Sequence, residues 1–303
     1  MKSRASSTGG STLMLALWAL ILLSAILFAW IEREDRSIDG VREANRGLEA
    51  RAMAHSGLAV GLHPDIAFNS PNLDNHFDRD RSYHVTIHSE GGRLNLNYML
   101  AGGDPAHLKF LKDYLAARGL KFQERETFVD CLLDWTGPGG GTRRLNGVSE
   151  SPDYHPPHRA LQSVDEIALV NGSAPLVAQA HWKDDLTIFS SGPLDLESVS
   201  AELLSLIPGL SPQRVQQFVN TREEREAKGV NPDGHAFKDV AEALSYLGLS
   251  QEQFSQLSGF LGFRDPILRI RSVGEAGQSS HQVDVVVKKA QGSKPQVLLW
   301  SEN

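Results

Sequence analysis

The chain has 303 residues and a formal net charge of −7, with 37 acidic against 30 basic side chains. That length gives room for two domains, each with its own core, and the acidic balance argues against a general nucleic-acid binder, which carries a basic face. A single cysteine, Cys131, excludes an intramolecular disulfide, and its apolar setting, Phe128-Val129-Asp130-Cys131-Leu132-Leu133, predicts a buried thiol.

Ser11 to Ile31 contains no charge and is followed at once by Glu32, Arg33, Glu34, Asp35 and Arg36. About 20 apolar residues at about 1.5 Å each cross a bilayer core of about 30 Å, so this segment is long enough to span. Lys2 and Arg4 precede it, which keeps the start of the chain on the cytoplasmic side and sends everything after Glu32 across the membrane. A cleaved signal peptide would have a shorter apolar core and a small-x-small site, whereas Phe28, Ala29, Trp30 and Ile31 end in bulk. A plain signal anchor explains length and orientation. A prepilin-type leader also explains Gly9-Gly10, because that peptidase cuts after glycine on the cytoplasmic side and leaves the apolar helix on the mature chain. The cut is predicted between Gly10 and Ser11. Steps of three and four continue through Ile38, Val41, Ala44, Leu48, Arg51, Ala52, His55 and Leu58, so the helix should run on as an amphipathic one. Gly40, Gly47 and Gly57 each weaken it by roughly 1 kcal/mol relative to alanine.

Leu62 to Arg81 reads as an irregular connection. Tyr83 to Ser89 alternates as a strand, Glu90-Gly91-Gly92 turns, and Arg93 to Asn97 is extended again, which predicts a hairpin. His84 and His88 share a strand face with Thr86, and a solvated sheet face accounts for them better than a metal. Asp104 with Pro105 starts a helix carried by Leu108, Leu111, Tyr114 and Leu115 and ended at Gly119. Glu126 to Leu133 gives another. From Asp134-Trp135 a long loop follows, with Gly137, Pro138, Gly139 to Gly141, Pro152, Pro156 and Pro157; loops of this length are functional, held by a ligand, or mobile.

Ser163-Val164-Asp165-Glu166 is a capped helix start of the Ser-x-x-Glu kind. Lys238 to Leu244 echoes it, and Leu194-Asp195-Leu196-Glu197 echoes Leu94-Asn95-Leu96-Asn97, which predicts two diverged copies of one helical unit with the Gly-Pro loop inserted in the first. The second copy contains a helix-hairpin-helix. Pro208-Gly209 breaks one helix, Ser211 caps the next with Pro212 behind it, and Val215, Phe218 and Val219 give it an apolar face. Such hairpins can present amides to a DNA phosphate, but Ser211 replaces the second hairpin glycine and Gln217, Asn220, Glu223 and Glu224 surround the site, which favours a packing role. Strands return at Ile267 to Val273, Gln282 to Val287 and Gln296 to Trp300 as an antiparallel meander. With the first hairpin these form one sheet on the amphipathic half of the first helix. The fold class expected is α+β: an N-terminal transmembrane and amphipathic helix packed on an antiparallel, pilin-like sheet, with a large inserted helical domain. The divisions are 1–10 leader, 11–31 transmembrane helix, 32–98 helix and first strands, 99–264 inserted domain and 265–303 final strands.

The Gly10/Ser11 leader, Gly92-Arg93-Leu94-Asn95-Leu96-Asn97, Asp134-Trp135 with a Pro/Gly loop to Glu150 and Asp153-Tyr154, Ser163-Val164-Asp165-Glu166, Pro208-Gly209-Leu210 and the final Val297-Leu298-Leu299-Trp300 occur in an order that resembles the general secretion pathway protein K family. These are the large minor pseudopilins of type II secretion. The resemblance implies a helical domain inserted in a pilin-like domain and no enzymatic activity. It implies partnership with the minor pseudopilins I and J, with other type II secretion pseudopilins and with the prepilin peptidase. It places the chain in the inner membrane with its globular part in the periplasm, at the tip of the pseudopilus, supporting export of folded proteins and binding no nucleic acid. Most pilin-type subunits carry Glu at the fifth mature position, where it pairs with the N-terminal ammonium of a neighbour; here that residue is Leu15, as suits a tip subunit with no neighbour above it. The family also carries calcium (Ca2+), for which Asp134, Glu150 and Asp153 could supply hard oxygen ligands. Gly137 and Gly139 to Gly141 stand where the family commonly has further acids, which would weaken such a site. The alternative function is a membrane-anchored helix-hairpin-helix DNA-binding protein. A periplasmic enzyme is weaker still, since no Ser-His-Asp order or phosphate loop stands out among the scattered histidines, and the His-x-x-x-His spacing of His84 and His88 falls on an expected strand rather than on a helix.

Overall fold

The structure, a computed structural model, describes residues 9–138, 144–289 and 294–303. Residues 1–8 of the leader lie outside the described residues, as do the side chains of Gly10, Ser11, Ile38 and Val41. Helix α1 (Gly9–Gly61) is a single element of 53 residues, about 80 Å long at 1.5 Å per residue. Its stretch Leu13–Arg33 is long and apolar enough to cross a membrane, and none of it is buried within the chain.

The later half of α1 packs on a sheet, and from Ala44 onward Leu58 alone of the residues the periodicity selects is buried there. Leu48 is 65% exposed, and the buried line is Ala50, Ala54 and Leu58, with Gly57 and Gly61 against Ser272, Tyr83, Ile270 and Val85. The sheet supplies the bulk, through Tyr83, Val85, Ile270, Val283 and Val285. The helix must therefore be small where the two backbones approach. Ser272 Oγ, itself buried, donates to the Ala54 carbonyl at 2.7 Å and ties the helix to the sheet at that point.

Strands β1 (Asp74–His76) and β2 (Arg81–Ser89) follow α1. The predicted hairpin after β2 does not form. Glu90–Gly92 is a 3₁₀ turn closed by the Arg93 amide on the Glu90 carbonyl, and the chain leaves the sheet there. Leu94 and Asn95, as β3, are both buried and pair in parallel with β4 (Leu186–Thr187) of the helical domain. A strand buried on both faces cannot be the solvated return arm of a hairpin. Between β3 and β4 lie α2 (Leu96–Leu100), α3 (Pro105–Ala117), α4 (Phe122–Thr136), a 3₁₀ segment at Val164–Leu169 and α5 (Ala174–Val177). Asp104 caps α3 by accepting from the amides of Ala106 and His107, and those bonds hold its carboxyl below the usual range. Cys131 on α4 is fully buried, which pushes its thiol pKa up.

A second closed unit repeats this plan. Strand β5 (Leu194–Asp195) pairs in parallel with β6 (Leu261–Gly262), and α6 (Ala201–Ser205), α7 (Pro212–Ala227), α8 (Val240–Leu247) and α9 (Gln251–Gln256) lie between them. The segment after Ser163 is a 3₁₀ helix rather than the α-helix its cap suggests. The cap chemistry still has its counterpart: Glu166 accepts from the Gln162 amide as Glu242 accepts from the Lys238 amide. The hairpin between α6 and α7 turns at Gly209, whose φ of +88° suits glycine. Val215 and Phe218 of α7 are fully buried. Residues 94–261 share one hydrophobic core; the sheet and α1 share another.

The chain then returns to the sheet as β7 (Ile267–Ala276), β8 (Ser279–Lys288) and β9 (Gln296–Glu302). The order is β1-β2-β7-β8-β9, antiparallel throughout. Gly274, within β7, lies directly under α1.

Candidate functional site

Three features outside the two cores carry the chemistry. The first is the exposed apolar length of α1. Leu13, Leu17, Leu20, Leu23, Leu27 and Ile31 all face outward with nothing of this chain over them. An apolar surface of that size requires lipid or a protein partner. Leu15 is 69% exposed within it.

The second is the cleft below the loop that follows α4. About 680 Å³ in volume, it is lined by Asp134, Arg144, Val148, Glu150 and His158 among others. The structure brings Asp134 and Glu150 to this cleft; Asp153 is exposed and does not line it. Asp134 accepts from the Arg144 amide at 3.4 Å, with the guanidinium at 3.9 Å. Glu150 meets His158 Nε2 at 3.0 Å and His155 Nδ1 at 3.8 Å. Among the described residues no three His, Cys, Asp or Glu side chains converge as a metal would need. The oxygen chemistry suits calcium, but the arrangement does not: two of the carboxylates face donors of the chain itself and the third stands apart.

The third is a clasp between α1 and the last strand. Glu302 accepts from Trp300 Nε1 at 2.9 Å, and Arg51 Nη2 lies at 2.9 Å, with His281 and His55 Nε2 at 3.4 and 3.5 Å. Trp300 stacks on His55. The Trp300 bond first, then His281, Arg51 and His55, hold the Glu302 carboxyl below its usual value of 4.5. A depressed carboxyl stabilises the fold above the unfolded pKa and loses that contribution as pH falls through the folded one. Protection of the β9 amides from hydrogen exchange should therefore fall as pH drops below about 4.5, and Glu302→Gln should flatten that dependence. Equal pH dependence in both proteins would show that the clasp contributes nothing.

Sequence reasoning singles out Asp134, Glu150 and Asp153 but not Arg144 and His158, which face the first two, nor Glu302 of the clasp. Arg143-Arg144 beside a glycine run was the available signal for the first. For Glu302 there was none, because its partners come from residues 51, 55 and 281.

No family model and no curated protein sequence matches the chain. Among solved structures, it is similar to a chain of the crystal structure of the GspK-GspI-GspJ complex from the enterotoxigenic Escherichia coli Type 2 Secretion System. The TM-score is 0.59 at 14% identity, over 89% of this chain and 99% of that one. At that identity the likeness is one of fold, which in this chain is a five-stranded antiparallel sheet with a helical domain inserted between its strands. The chain has a GspK-like fold.

Proposed function

We propose that the chain is a minor pseudopilin of a type II secretion system, acting without catalysis at the tip of the pseudopilus together with I- and J-type pseudopilins. The observation that carries this is the pairing of an exposed apolar helix with a GspK-like globular part on one continuous α1. Leu13–Arg33 would hold the chain in the inner membrane with the globular part in the periplasm, in line with Lys2 and Arg4 ahead of the span. A prepilin peptidase would cut between Gly10 and Ser11. The helical domain, larger than the sheet it interrupts, would obstruct subunits above it, and Leu15 would need no ammonium to meet. Calcium at Asp134, Glu150 and Asp153 is not part of this proposal, given the arrangement described above.

Co-purification from the native host tests the assignment. The full chain should bring down I- and J-type pseudopilins from detergent-solubilised membranes, at about one copy per pseudopilus. Copy number comparable to the major subunit, or recovery without those partners, would reject the tip assignment. In the same strain Gly10→Phe should leave the leader attached. Leu15→Glu should not improve secretion: a charge at the centre of a span costs about 2.5 to 3.5 kcal/mol on the insertion scale, and less near its end, where Leu15 stands.

A further inference from the structure

We propose that the loop from Arg144 to Leu161 is ordered by donors that the chain carries itself, which engage its carboxylates in an arrangement that does not fit a calcium ion. Four carboxylates face this loop from its flanking segments or from within it, and each receives a donor from it. Asp130 accepts from the amide and the side chain of Asn146, at 3.0 and 2.9 Å. Asp134 has Arg144, and Glu150 has the His158 ring at 3.0 Å. Glu166 accepts from Arg159 Nη1 at 3.2 Å, from the Gln162 amide at 3.1 Å and from Trp135 Nε1 at 3.4 Å. The far end is pinned without any charge: the Asn97 amide group bonds both the amide and the carbonyl of Leu161, at 2.9 Å each.

Calcium takes six to eight oxygens at about 2.3 to 2.6 Å. To supply them here, Glu150 would have to release His158, and Asp134 would have to accept a dication beside the Arg144 guanidinium. Like charges repel at that range, and the ligands released would lose bonds already made. A built-in cation is bound by covalent attachment and needs no free ion, so loop order becomes independent of the calcium concentration around it.

The test uses the full-length chain in detergent micelles and does not depend on secretion. Hydrogen exchange over residues 144–161 and the melting temperature are measured in millimolar calcium and in chelator. The wild type should give superimposable results in the two conditions. The double substitution Arg144→Gln with His158→Gln should speed exchange in the loop about tenfold, the scale of one charge-assisted hydrogen bond. Protection in the paired strands β7 and β8 should stay at its wild-type level, which shows that the variant remains folded. A calcium-dependent rise in melting temperature or in loop protection of the wild type would overturn the proposal. So would a doubly substituted loop that exchanges at the wild-type rate.

Discussion

Gly274→Ala should destabilise the fold by about 3 kcal/mol, the upper part of the range for overpacking a tight core. A Cβ at this position would run into the Ala50 carbonyl oxygen and the Ala54 amide nitrogen of α1, and into the Met53 carbonyl carbon at 2.8 Å. These are backbone atoms of a helix and cannot rotate away as a side chain would. Relief requires α1 to lift from β7, which also breaks the Ser272 bond to Ala54 and opens the packing on Ile270 and Val285. In thermal melts the midpoint should drop by about 6 to 12 °C. Gly47→Ala on the same helix is the control of opposite sign. Nothing lies within 4 Å of a Cβ there, so the change should stabilise α1 by about 1 kcal/mol through helix propensity alone. Equal effects at the two glycines would mean that close approach of helix and sheet is not what Gly274 provides.

Glu90→Ala should cost about 3 to 5 kcal/mol, because it removes one partner of a buried ion pair and leaves the other uncompensated. Glu90 is fully buried at the junction of the two cores. Arg269 Nε of β7 lies 2.6 Å from its carboxylate and Arg93 Nη1 3.6 Å, while Thr187 of β4 donates to its other oxygen. One side chain thus joins the sheet to the β3–β4 pair that closes the first helical unit. Urea unfolding should show the loss as a lower midpoint. The double replacement Glu90→Leu with Arg269→Leu should recover much of it, since a buried pair exchanged for apolar groups is often neutral. No recovery would indicate that Thr187 and Arg93, rather than the pair with Arg269, make Glu90 necessary.

What was legible in the chain followed local rules. The uncharged run before Glu32 predicts a spanning helix whatever surrounds it, and α1 extends through it. Asp104 with Pro105, and Ser211 with Pro212, announce α3 and α7, because a cap satisfies amides within its own first turn. Ile267 to Trp300 alternates and forms the expected antiparallel meander, with β7 and β8 running on through Ala276 and Ser279 into the stretch that reads as the first turn. The failures are equally physical. The turn at Glu90 has the local pattern of a hairpin, while the partner of Leu94 lies at Leu186. The segment after Ser163 has an α-helical cap but stays 3₁₀. The apolar pattern starts the second helix at Glu126, yet α4 begins at Phe122 because Glu124 reaches back to accept from the Lys121 amide. For the candidate site, residue type disclosed the carboxylates Asp134 and Glu150 and nothing about what faces them.

Hydrophobic pattern alone specifies a membrane-length apolar helix, its continuation into a globular part, and a run of strands after residue 266. Each of these depends on hydrophobicity and periodicity over neighbouring residues, which are properties of the chain alone. Only the tertiary structure decided which face of α1 meets the sheet. That contact is selected by the smallness of Ala50, Ala54, Gly57 and Gly274, and small residues leave almost no mark in a hydrophobic pattern. Only the tertiary structure paired Glu90 with Arg269 and Glu302 with Arg51, across 179 and 251 positions. Charge partners at such separations are set by where the backbone brings them, since the Coulomb energy depends on distance in space and not along the chain.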